Sequence, residues 1–114
     1  MLRGLALALI AASIPMQACA DSGIRRVACG YQQITSLSSA QKLTVPTTCG
    51  GPPTLAVITA EAQAVRYRDD GTSPTATVGM PLATGVALSY EGTLSAIQFI
   101  EQTASAKLNV LFYR

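Results

Sequence analysis

Val65-Arg66-Tyr67-Arg68-Asp69-Asp70-Gly71-Thr72-Ser73-Pro74-Thr75-Ala76-Thr77-Val78-Gly79 reads as a strand, a tight polar turn and a second strand. Val65 and Tyr67 alternate with Arg66 and Arg68, the period of a half-buried strand that keeps its charges in water. Asp-Gly then breaks the pattern. Asp tolerates the left-handed region and Gly reaches it freely, while Pro74 fixes φ and withholds a donor, so Asp69 to Pro74 is expected to be a surface connection. Ala76 to Gly79 is expected to resume as a short strand, with Met80-Pro81-Leu82 turning after it.

Outward from this stretch the same period recurs. Upstream, Tyr31 to Leu37 alternates loosely and ends at Ser38-Ser39; Lys42 to Val45 puts Leu43 and Val45 on one face, and Pro46 stops it. Thr47 to Pro53 is a Gly- and Pro-rich loop. Leu55 to Ala60 is a continuous apolar run of strand length, expected to be a central strand buried on both faces. Downstream, Val86, Leu88 and Tyr90 alternate, then Ile97 and Phe99, then Leu108, Val110 and Phe112, with Thr103 to Ala106 as the hairpin connection before the last strand. Short strands at this spacing predict an all-β fold, a small antiparallel β-sandwich or jelly-roll of about seven or eight strands. Val65, Tyr67, Val86, Leu88, Ile97, Phe99, Leu108, Val110 and Phe112 form the expected core.

The chain has 114 residues, room for one domain, and carries eight Lys and Arg against six Asp and Glu, a net charge of +2. That balance, with its basic residues scattered, provides no footprint for a nucleic-acid backbone. Few Lys are present to guard open strand edges, so association with copies of the chain or with another surface is expected to cover them.

Residues 1–20 read as an apolar, signal-like helix: Arg3 supplies the positive end, Leu5 to Ile14 the apolar run, and Ala18-Cys19-Ala20 a small-x-small cleavage site. The run is too short for a stable membrane span. Cleavage after Ala20, lipid attachment at Cys19 and translation starting at Met16 are the three readings of this end. Residues 21–29 are then a linker and 30–114 the β-domain. After cleavage, Cys29 and Cys49 are the remaining thiols, a candidate disulfide in an oxidising compartment and two unpaired thiols in a reducing one.

Residues that could carry chemistry are sparse. There is no His to act as a base or zinc ligand, no Gly-x-Ser-x-Gly elbow, and the prolines of Gly50-Gly51-Pro52-Pro53 remove the donors a phosphate cradle needs. Glu61, Asp69 and Asp70 lack the spacing of a calcium loop, and Asp-Asp-Gly is ordinary turn chemistry. No catalytic residue, cofactor, metal or small-molecule substrate is indicated. Arg66 and Arg68 share a strand face and are expected to pair with Asp69, Asp70 or Glu91; Arg66, Arg68, Asp69 and Asp70 are the candidate contact rim.

Gly30-Tyr31-Gln32-Gln33-Ile34, Leu43-Thr44-Val45-Pro46, Val65 to Gly79, Leu94 to Glu101 and Lys107 to Tyr113 together resemble a family of small tailed-bacteriophage proteins encoded among virion genes. The most specific part is Arg66 to Thr72 with Pro74-Thr75 and Val78-Gly79; Leu108-Asn109-Val110 with Tyr113 is a second marker. The resemblance implies a non-enzymatic virion component, of head-decoration or head-to-tail type, whose partners are other virion proteins or its own copies. A signal peptide is not expected on a protein assembled in the cytoplasm. The N-terminus therefore points to a misplaced start or to an exported relative, the latter a small β-sandwich binding module or lipoprotein of a bacterium.

Overall fold

The computed structural model describes residues 25–114; the helix and signal-like segment expected over residues 1–20 lie outside the described residues. Eight strands follow in order: β1 (Ala28–Ile34), β2 (Gln41–Lys42), β3 (Leu55–Glu61), β4 (Val65–Arg68), β5 (Met80–Leu82), β6 (Leu88–Tyr90), β7 (Gln98–Glu101) and β8 (Lys107–Tyr113). They form two four-stranded antiparallel sheets, ordered β1-β8-β3-β6 and β2-β7-β4-β5. No helix occurs among the described residues. β1 begins inside the segment read as a linker.

The core lies between the sheets. Leu108, Val110 and Phe112 of β8 and Ile97 and Phe99 beside and on β7 are fully or almost fully buried, as their alternation requires, and Val65 of β4 joins them. The Tyr67 ring packs on Phe99 at 5.7 Å between centroids, tilted by 41°. In β3 the inward residues are Ala56, Ile58 and Ala60, all buried, whereas Leu55, Val57 and Thr59 are only half-buried. β3 is central in its sheet but is covered on one face alone, which corrects the expectation of burial on both.

Four further expectations are corrected. Ala76 to Gly79 is a bend rather than a strand, because Thr75 and Val78 exchange backbone hydrogen bonds and Thr75 Oγ1 accepts from the Val78 amide at 3.0 Å. Met80 to Leu82, expected to turn, is the strand: it pairs with β4, and Pro81 is tolerated because β5 is an edge. Val86 is 52% exposed, since its amide closes a turn onto Ala83 O before β6 begins; Leu88 and Tyr90 are half-buried against the core. Thr103 to Ala106 joins strands of different sheets and is no hairpin. Inward residues on β7 and β8 meet from opposite sides of the core, an arrangement that shares its alternation pattern with a hairpin.

The edge strands are mostly short, and one of them, β2, ends in the exposed Lys42. β2 and β6 are only two and three residues long, and β5 carries Pro81. β1 is the long edge, and residues 44–49 run beside it. A register shift between Ala28 and Gly30 takes Cys29 out of the ladder, and a disulfide joins it to Cys49 with the Cα atoms 5.1 Å apart. Further along, the Thr44 amide donates to Gln32 Oε1 at 2.9 Å and Gln32 Nε2 donates to Thr44 Oγ1 at 3.2 Å.

Candidate functional site

The connection from β4 to β5 gathers the four residues of the expected rim. With Val65 and Tyr67 directed to the core, Arg66 and Arg68 stand on the outer face. Arg68 grips Asp70 with two hydrogen bonds, Nε to Oδ1 at 3.0 Å and Nη2 to Oδ2 at 2.6 Å, and the Thr72 amide adds a third to Oδ1 at 3.3 Å. The hydrogen bonds from Arg68 hold the Asp70 carboxyl below its usual range, and in return raise the Arg68 guanidinium. Both side chains remain partly exposed, so the pair fixes the turn's shape more than it stabilises the fold.

Arg66 has a different task. It finds no carboxylate among the described residues; Nε donates to Ala76 O at 3.1 Å and Nη1 to Gly79 O at 2.8 Å, fastening the far side of the turn to β4. With the Gln102 amide oxygen facing it, the guanidinium also donates to that oxygen from Nε and Nη2, each at 2.9 Å. Gly79 lies close under this clasp at φ +143°, where a Cβ would come within 3.2 Å of Arg66 Cβ, Pro74 Cβ and Tyr67 O. A side chain there is strained twice, by conformation and by space.

Asp69 turns away from the arginines and accepts a hydrogen bond from Tyr90 Oη at 2.7 Å, tying the turn to the other sheet. Burial first, and then the Asp69 carboxylate, push the Tyr90 hydroxyl up to about 12. The ring lies over Gly92, where any Cβ would collide with it. Glu91, the third expected partner of the arginines, pairs instead with Arg26 at 2.7 Å. Glu61 is on β3, bonded to Asn109, and does not join Asp69 and Asp70.

What the pinned turn leaves open is apolar. A hollow of about 270 Å³ is lined by Arg68, Asp69, Asp70, Val78, Gly79 and Met80. Val78 and Met80 are 52% and 58% exposed at its wall. No protein-family model, curated protein or solved structure matches this chain. Tyr90, Gln102, Val78 and Met80 belong to the site and were missed in the sequence. The only signal for the last two was the Thr75-x-x-Val78 spacing of a hydroxyl-closed turn, which would have moved the strand to Met80.

Proposed function

We propose that this chain is a non-enzymatic structural component of a tailed-phage or prophage virion, a β-sandwich whose strand orders β1-β8-β3-β6 and β2-β7-β4-β5 are those of a jelly-roll, and that it assembles through the β4–β5 turn. The observation carrying the reading is the pair of exposed apolar side chains, Val78 and Met80, held beside a charge pair that is already satisfied. A partner docking there covers apolar surface without stripping water from unpaired charge, and the clasped backbone has little freedom left to lose. Met80 adapts to the shape it meets. Three of the four edge strands are only two or three residues long, which favours contact through side chains over edge pairing. The resemblance of Arg66 to Gly79 to virion proteins supplies the setting.

The test uses particles purified from an induced lysogen. Mass spectrometry is expected to find the wild-type chain in them and to find a Val78→Asp/Met80→Asp variant excluded, though it keeps its unfolding midpoint. Absence of the wild-type chain would sink the virion reading; incorporation of the variant at the wild-type level would sink the assignment of the turn.

A second reading is favoured by one observation, the Cys29–Cys49 disulfide. Such bonds persist in oxidising compartments and on virion and cell surfaces. An exported binding module, cleaved after Ala20, would carry it too. Mature protein beginning at Asp21 in a periplasmic extract, with no copy in particles, would decide for export.

A further inference from the structure

The outer face of the β1-β8-β3-β6 sheet carries a second organised surface, away from the β4–β5 turn. Two cross-strand rows lie on it: Tyr31, Leu111 and Val57, and beside them Gln33, Asn109 and Thr59. Asn109 is the hub. Its Oδ1 accepts from Tyr31 Oη at 2.6 Å and from Gln33 Nε2 at 2.9 Å, while its Nδ2 donates to Glu61 Oε1 at 2.9 Å. Two donors on one side and a carboxylate on the other fix the orientation of that amide. In turn the hub sets the Tyr31 ring, which remains 59% exposed.

Next to the hub is an open hollow of about 460 Å³, whose lining includes Thr59, Glu61, Thr84, Gly85 and Asn109. The Gly85 amide donates to Ala60 O at 3.0 Å, holding the rim to β3. Ala62, also in the lining, sits at φ +75°, a conformation costly to a residue with a Cβ and retained here at the mouth of a concavity. The network leaves hydrogen-bonding capacity over: the second oxygen of Glu61, the amide oxygen and second N–H of Gln33, and the hydroxyls of Thr59 and Thr84.

Those features select a ligand class. An exposed aromatic ring takes the C–H face of a sugar, and a carboxylate and a carboxamide on either side of the Asn109 amide can bind hydroxyls along a sugar chain, one accepting and the other both donating and accepting. The charged residue in the lining is Glu61, with Lys107 its cross-strand neighbour, so the face offers no net positive charge to an anionic ligand. An extended peptide would need a free strand edge, and on this sheet β6 offers only three residues while residues 44–49 lie along β1 through the Gln32–Thr44 contact and the Cys29–Cys49 disulfide. We infer that this face binds a neutral pyranose oligosaccharide, one ring stacked on Tyr31 and the next hydrogen-bonded at Gln33, Glu61 and Thr59. The inference is independent of the turn's role in assembly, since the two surfaces lie on different sheets.

The experiment is a nuclear magnetic resonance titration of the full chain with neutral hexasaccharides of glucose, mannose, galactose and N-acetylglucosamine. At least one is expected to shift the amides of Tyr31, Gln33, Thr59, Glu61, Gly85 and Asn109 saturably, with a Kd of about 1 mM or tighter. Tyr31→Ala is expected to weaken that binding about tenfold and Tyr31→Phe much less, because the ring and not the hydroxyl carries the stack. The proposal is overturned if no sugar shifts these amides at about 10 mM, if the shifts fall at Val78 and Met80 instead, or if Tyr31→Ala binds as well as the wild type. These readouts come from purified protein and are indifferent to whether it enters a particle.

Discussion

The β4–β5 turn and the outer face of the β1-β8-β3-β6 sheet are both polar surfaces locked by hydrogen bonds, yet they leave opposite things exposed. In the turn the partners are close in sequence: Arg68 to Asp70 spans two residues, and Arg66 to Ala76 and Gly79 spans ten and thirteen. Nearly all the polar capacity is used up, and the remainder is Val78 and Met80. On the sheet face the partners are far apart, 78 residues from Tyr31 to Asn109 and 48 from Asn109 to Glu61, and the remainder is unspent donors and acceptors. A locally satisfied turn is suited to a dry contact, and a sheet-built network to a wet one.

The two regions stand on one core, and the largest effect comes from removing it. Phe99→Ala is expected to cost about 3 to 5 kcal/mol, the range for truncating a buried aromatic. The loss is read as a lower unfolding midpoint, and both surfaces should melt together; if the midpoint does not move, Phe99 is not the shared support. Reduction of Cys29–Cys49 comes next. Closing a loop of this size contributes about 3 kcal/mol, and without the bond residues 44–49 should exchange their amides faster than the turn does. Alkylation without reductant should label neither cysteine, and labelling of both would remove the bridge.

Gly79→Ala separates the regions. It is expected to cost about 1 to 3 kcal/mol through backbone strain and to loosen Val78 and Met80, while the side-chain amide signals of Gln33 and Asn109 stay where they are. Equal disturbance of both would mean that the turn and the sheet face are one unit. The smallest effect belongs to Tyr90. Its hydroxyl ionises at about 12 in the folded protein, against about 10 in an unfolded chain. The folded state thus favours the neutral form: the contribution is fully present below the unfolded value and is lost as pH rises through the folded one. Ultraviolet titration should find a late phenolate that vanishes in Tyr90→Phe, a variant expected to lose about 1 kcal/mol with its hydrogen bond to Asp69.

Much of the fold was legible where a residue's role depends on its neighbours in the chain. Ile97, Phe99, Leu108, Val110 and Phe112 alternate because each points inward from an extended backbone, whichever sheet it joins. For the same reason alternation could not reveal that β7 and β8 belong to different sheets. Val86 misled because its place in the pattern is cancelled by a turn bond to Ala83. At the candidate site, Arg68 with Asp70 was readable at two residues' distance. The Tyr90 bond to Asp69 was not, because it crosses 21 residues and both sheets and depends on where β6 lands. Gln102 is harder still, since its position follows from the passage between sheets after β7.

β8 is the last of the eight strands, but it is the one that β1 and β3 both pair with, residue for residue, along most of their length. During synthesis β1 therefore waits for its partner until residues beyond 107 leave the ribosome, and β3 has only the short β6 to pair with. Folding of this sheet is dominated by long-range pairing, which is slow. The first sheet closes only once the eighth strand slides between the first and the third.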